Sequence, residues 1–111
     1  MKKDELKAQL EGILTHHRGR SMAITGHELV SLTGEENRAI RLALEDLISD
    51  GLPIVSATEA PAGYFLATSR EEAIESTAYL RSHAVMTFLR RKKIIKNTAT
   101  YIKPILQGKL L

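Results

Sequence analysis

Gly34–Ala67, GEENRAIRLALEDLISDGLPIVSATEAPAGYFLA, is the stretch around which the rest of the chain is read. Ile40, Leu44, Leu47 and Ile48 recur at helical spacing with Ala43 beside them, which predicts a helix over 35–49. Glu35 and Glu36 are expected in its first turn, where acids suit the positive end of the helix dipole. Asp50-Gly51 closes this helix, and Pro53 prevents its continuation. Ile54–Ala57 and Tyr64–Ala67 read as two short strands, with 58–63 between them as a hairpin loop. Of Tyr64 and Phe65, strand alternation sends one into the core and the other outward.

Working outward toward the N-terminus, Leu6, Leu10, Ile13 and Leu14 define a first helix over 3–16, with Gly19 as a stop. Met22–Ile24 suggests one short strand. Thr25 followed by Glu28 fits a capping box and opens a helix over 27–32, with Leu29, Val30 and Leu32 on its buried side. Gly34 supplies the positive φ of a tight turn between helices. Toward the C-terminus, Ser69 and Glu72 form a second capping box, for a helix over 70–96. Two apolar lines run along it, Ala73, Thr77, Leu80 and Ala84 in one, Ile74, Ala78, Val85, Leu89 and Ile95 in the other, with Phe88 between. Residues 97–111, with weak periodicity and Pro104, read as a tail or a short final helix.

The order is helix, short strand, helix, turn, helix, strand, loop, strand. It predicts a mainly α chain with a small β-hairpin: a winged helix-turn-helix over 1–68, then a long C-terminal helix and basic tail over 69–111, packed on that domain or dimerising. In such a fold the helix over 35–49 keeps one face free, and an α-helix fits the major groove of duplex DNA.

The bulk properties narrow the function classes. The 111 residues suffice for one modest core. Cysteine is absent, which excludes disulfides, thiol nucleophiles and the usual structural zinc sites. Aromatics are 5% with no Trp, which disfavours a stacking platform for single strands. His16, His17, His27 and His83 are scattered, and no Ser-His-acid set, phosphate loop or carboxylate pair stands out, so neither an enzyme nor a bound metal or cofactor is expected. No apolar run or signal core is present, so the chain is expected to be cytoplasmic and not membrane-bound. The net charge of +3 is uneven: residues 1–20 carry +2, 21–69 carry −5, and 70–111 carry +6.

Leu32-Thr33-Gly34, Arg38, Ile40-Arg41, Leu44, Leu47, Asp50-Gly51, Pro53-Ile54 and Gly63-Tyr64-Phe65-Leu66, in that order, resemble the pattern of biotin-repressor-type winged helices. They are also similar to small winged-helix proteins of phages and prophages, which continue after the wing with a Ser-Arg-Glu-Glu helix start like Ser69–Glu72. The resemblance spans about 25–91. It implies DNA binding, usually in transcriptional or phage control. Two positions depart from the pattern. Glu36 stands where a small hydroxyl cap is common, and the wing loop 58–62 holds Glu59 and no base.

The candidate contacts to double-stranded DNA follow. Asn37 has the chemistry to pair with an adenine edge, and Arg38 and Arg41 to take guanine or phosphate; the plainer reading is ordinary surface pairing, such as Arg41 with Glu45. Arg18 and Arg20 flank Gly19 in a turn where they would clamp phosphates. Arg90, Arg91, Lys92 and Lys93, with Lys96, form the densest charge cluster and would give salt-dependent, sequence-independent affinity. The broad stripe on 70–96 suits a homodimer. The −5 charge of 21–69 supports the alternative, a winged-helix interaction module that binds a basic protein through an acidic surface.

Overall fold

The computed structural model describes the backbone of residues 2–110 and the side chains of residues 2–102. It is mainly helical, with one antiparallel two-stranded hairpin. The elements are α1 (Lys3–Leu14), a 3-10 turn (Arg20–Met22), α2 (Gly26–Thr33), α3 (Asn37–Ser49), β1 (Ile54–Ala57), β2 (Gly63–Leu66), α4 (Arg70–Ser76) and α5 (Ala78–Leu110). They fall into two compact units, residues 1–77 and residues 78–111.

In the first unit, α1, α2 and α3 bury their apolar stripes against one another. Leu6, Leu10 and Leu14 come from α1, Leu29 from α2, and Ile40, Ala43, Leu44 and Leu47 from α3. Ile24 and Ile54 join them, with Tyr64 and Leu66 packed at the edge. Burying one Leu, Ile or Phe stabilises by about 1.5–3 kcal/mol, so this stripe matching is what holds the helices together. Thr25 caps α2 by accepting from the Glu28 N–H at 3.1 Å, as the capping box predicts. Gly34 ends that helix at φ 72, where a Cβ is costly.

The hairpin is covered on both faces. Ile54 pairs with Leu66, Val55 with Phe65, and Ser56 with Tyr64. Ile54, Tyr64 and Leu66 face the helical core. Val55 and Phe65 point the other way by alternation, yet both are buried. α4 packs along β1. The free edge of β2 is also used. Ile24 and Tyr64 exchange two N–H···O bonds of 2.9 and 2.7 Å, and Gly19 N–H donates to Leu66 O at 2.8 Å.

Several expectations need correction. α1 ends at Leu14 rather than His16; Thr15 is its C-terminal cap, still in helical backbone, with its hydroxyl donating back to Gly12 O at 2.6 Å. Residues 22–24 form no strand run; Arg20–Met22 is a 3-10 turn and only Ile24 pairs with β2. Glu35 and Glu36 precede α3, Glu36 standing at its cap in extended backbone. Leu32 and Ile48 lie outward, more than half and half exposed, because Leu29 and Thr33 on α2 and Ile40, Ala43, Leu44 and Leu47 on α3 already fill the interface. β2 begins at Gly63 and ends at Leu66. The helix expected over 70–96 is two: Thr77 interrupts it, its hydroxyl donating to Ala73 O at 2.6 Å in competition with the backbone ladder.

The second unit is α5 alone. It continues through the region read as a tail, to Leu110. Every described side chain from Ala78 to Ile102 is exposed.

Candidate nucleic-acid interface

The start of α2, the first two turns of α3 and the inner side of the hairpin enclose a cleft of about 490 Å³. Asn37 and Arg41 line it from α3, His27 from α2, and Ser56 and Tyr64 from the strands. Their convergence has a local cause. The Ile24–Tyr64 bridge holds the residue just before the Thr25 cap against β2, so α2 begins where the hairpin passes. Gly26 lies beside both walls: a Cβ there would meet Asn37 Oδ1 and Tyr64 Cε2 at 3.7 Å, ordinary contact distance.

The cleft is chemically one-sided. An amide, a guanidinium, an imidazole and three hydroxyl-bearing side chains line it, and no acidic side chain lines it among the described residues. The first-turn N–H groups of Gly26 and His27 lack intrahelical partners, as at any helix start, and add donor character. Among the described residues neither Arg38 nor Arg41 forms an ion pair, so the Arg41–Glu45 pairing of the plainer surface reading is not made.

Asp46 of α3 and Asp50 at its C-terminal cap are turned toward α1, while Glu45 stays exposed one turn after Arg41. Asp46 Oδ2 meets Lys3 Nζ at 2.8 Å, and Asp50 Oδ2 meets Lys7 Nζ at 2.6 Å. The hydrogen bond from Lys3 lowers the Asp46 pKa, and the one to Asp50 raises that of Lys7. Glu35 and Asp46 border a second groove between α1 and α3, about 350 Å³, floored by Leu6, Ala39 and Ala43 with Leu42 half exposed above it.

The other sequence candidates lie apart from the cleft. Arg38 is exposed on the outward side of α3. Arg18 and Arg20 do not reach the cleft. They sit where the 18–20 turn meets the end of β2, with Arg18 Nε donating to Thr15 O at 3.2 Å. The Arg20 backbone N–H donates to Glu72 Oε2 at 3.3 Å. Glu72 is a clamp: its other oxygen accepts from Thr68 N at 2.8 Å and Thr68 Oγ1 at 3.1 Å, which lowers its pKa. Arg90, Arg91, Lys92 and Lys93 are exposed on α5. Four consecutive helical residues step about 100° apart, so these bases encircle the helix rather than share a face.

Sequence reasoning missed His27, Ser56 and Tyr64 as parts of one cleft. The signal for His27 was its place two residues after the Thr25 cap, at the start of a helix. His17 is structural instead: its Nδ1 lies 2.7 Å from the Met22 carbonyl, to which it donates. Comparison with protein-family models, with curated proteins and with solved structures gives no match. No helix among the described residues is long and apolar enough to cross a membrane.

Proposed function

We propose that the first unit is a winged helix-turn-helix that docks α3 in the major groove of duplex DNA, in a transcriptional or phage-type regulatory role. One observation carries this reading. Asn37 and Arg41 stand together in an acid-free cleft beside the start of α2 and the hairpin, while Asp46 and Asp50 are turned to lysines of α1. Those two acids are thereby drawn away from the cleft, whereas Glu45 follows Arg41 by one helical turn and Glu28 accepts from the hydroxyl of Thr25, which lines the cleft, at 3.1 Å. In this reading Asn37 and Arg41 reach base edges, His27 and the α2 N–H groups hold a phosphate, and Arg38 takes a neighbouring phosphate. Arg90–Lys93 on α5 add phosphate contacts, and α5 joins two copies.

The test is binding to labelled duplex DNA across a salt series. Arg41→Ala at a base contact costs about 1–3 kcal/mol on a preferred sequence, and Arg38→Ala at a phosphate lowers the salt slope by about 1. Unchanged binding in the Arg38→Ala/Arg41→Ala variant overturns the reading.

A second reading rests on the α1/α3 groove, whose floor of Leu6, Ala39 and Ala43 with Leu42 above fits the apolar face of a partner's amphipathic helix, Lys3 and Asp46 lying paired at its edge. Leu42→Glu abolishes that binding and leaves DNA binding intact. Absence of DNA binding even at low salt favours this reading.

A further inference from the structure

Residues 78–110 contain eight Lys or Arg and no Asp or Glu, whereas all thirteen acids of the chain lie in residues 1–77. α5 also carries an apolar line. Leu80, Ala84, Phe88, Arg91, Ile95, Ala99 and Ile102 follow one another at spacings of four, four and three, an eleven-residue repeat that keeps one stripe on a nearly straight helix. The large side chains on it are about half exposed: Leu80 52%, Phe88 58%, Ile95 53% and Ile102 43%. A solitary helix with such a stripe lacks the tertiary packing from which most helices draw their stability.

The central part of the stripe is symmetric. Reversed about the point between Arg91 and Lys92, Phe88 falls opposite Ile95 and Ala84 opposite Ala99, while position 80 falls opposite Lys103 and position 102 opposite Arg81. Within 84–99 large meets large and small meets small, which lets two antiparallel copies approach closely over that stretch. In that register position 78 of one copy lies opposite position 105 of the other. The two Ala78 ends are then about 40 Å apart at 1.5 Å per residue.

The same register brings the two Arg90–Lys93 girdles together at the centre. With no acid on α5 to balance them, they repel unless a polyanion lies across both. We infer that α5 pairs antiparallel with α5 of a second copy, and that the joined girdles form one phosphate-binding surface for duplex DNA. This rests on the DNA-binding reading above.

The chain has no cysteine, so the register is open to single-site cross-linking. Ala84→Cys and Ala99→Cys variants, alone and mixed, are treated with a short bis-maleimide, with and without a duplex of about two turns. The mixture is expected to cross-link and each variant alone to remain monomeric, with yield rising several-fold on duplex at low salt. A variant with 90–93 changed to Gln is expected to cross-link fully without duplex, whether or not the protein binds DNA. Self-cross-linking of Ala84→Cys alone means parallel helices and overturns the inference. So does a monomer under every condition. A yield equal with charged and neutral girdles, and unmoved by duplex, overturns the composite phosphate surface. If wild type fails to bind DNA while the neutral variant still cross-links in the mixed register, the DNA reading has failed and the pairing stands.

Discussion

Gly63→Ala tests whether the bridge behind the cleft is as tight as it looks. Gly63 sits at φ 132, a region where side chains are strained, at about 1–2 kcal/mol. A Cβ there would also drive into the Ile24 backbone, 2.6 Å from its carbonyl carbon and 3.0 Å from Thr25 N. Backbone cannot swing aside as a side-chain tip does, so the two Ile24–Tyr64 hydrogen bonds must open. At about 0.5–1.5 kcal/mol each, their loss adds about 1–3 kcal/mol. The total is about 3 kcal/mol, or roughly 12–24 °C in Tm for a unit of this size. Two glycines calibrate the scale in the same thermal melts. Gly34, at φ 72 with nothing within 4 Å of its would-be Cβ, carries only the backbone strain of about 1–2 kcal/mol when changed to Ala. Gly12 lies inside α1 with open space around it, so Gly12→Ala stabilises by about 0.5–1 kcal/mol. The expected order is Gly12→Ala, wild type, Gly34→Ala, Gly63→Ala. A Gly63→Ala melt no lower than that of Gly34→Ala refutes the close approach of residues 24–25 to β2.

Phe65→Ala removes a fully buried ring from the outer face of the hairpin and is expected to cost about 3–5 kcal/mol in denaturant unfolding, a loss that a solvent-facing ring would not produce. Glu72 has its pKa lowered from 4.5 by the hydrogen bonds it accepts, so its contribution is present above pH 4.5 and fades as acid protonates it. The Tm gap between wild type and Glu72→Gln should accordingly close as pH falls from 7 toward 3; a constant gap removes the clamp as its cause. Changing 90–93 to Gln should reduce the salt slope of DNA binding by about 2 rather than about 4, because a girdle turns roughly half its charges away from any one duplex.

Much of the first unit was legible because its stripes are simple. Leu6, Leu10 and Leu14, and Ile40, Leu44 and Leu47, sit where their spacing put them, and Thr25 and Ser69 cap the helices that their Glu partners announced. The misplacements have physical causes. Leu32 and Ile48 are apolar, but their neighbours fill the interface first, and a sequence does not rank competitors for one face. The acids of α3 were counted as a charge on the whole central region, whereas Asp46 and Asp50 reach lysines on α1, a pairing across more than forty residues. For the same reason the cleft was only half visible. Asn37 and Arg41 share a helix face, but His27 and Tyr64 join them through the Ile24–Tyr64 bridge, which has no local signature. Arg18 and Arg20 were grouped with them by charge alone, and the Glu72 clamp sets them elsewhere.

Whether duplex DNA touches the chain, and at which residues, decides the central claim. Amide chemical-shift mapping of the uniformly 15N-labelled protein, a 12.3 kDa chain, during titration with duplex DNA reads every backbone position at once. The account predicts the largest changes at Gly26, His27, Asn37, Arg41 and Ser56, with a second set at Arg90–Lys93. Changes confined to α5, or centred on Glu35, Leu42 and Asp46, would contradict it.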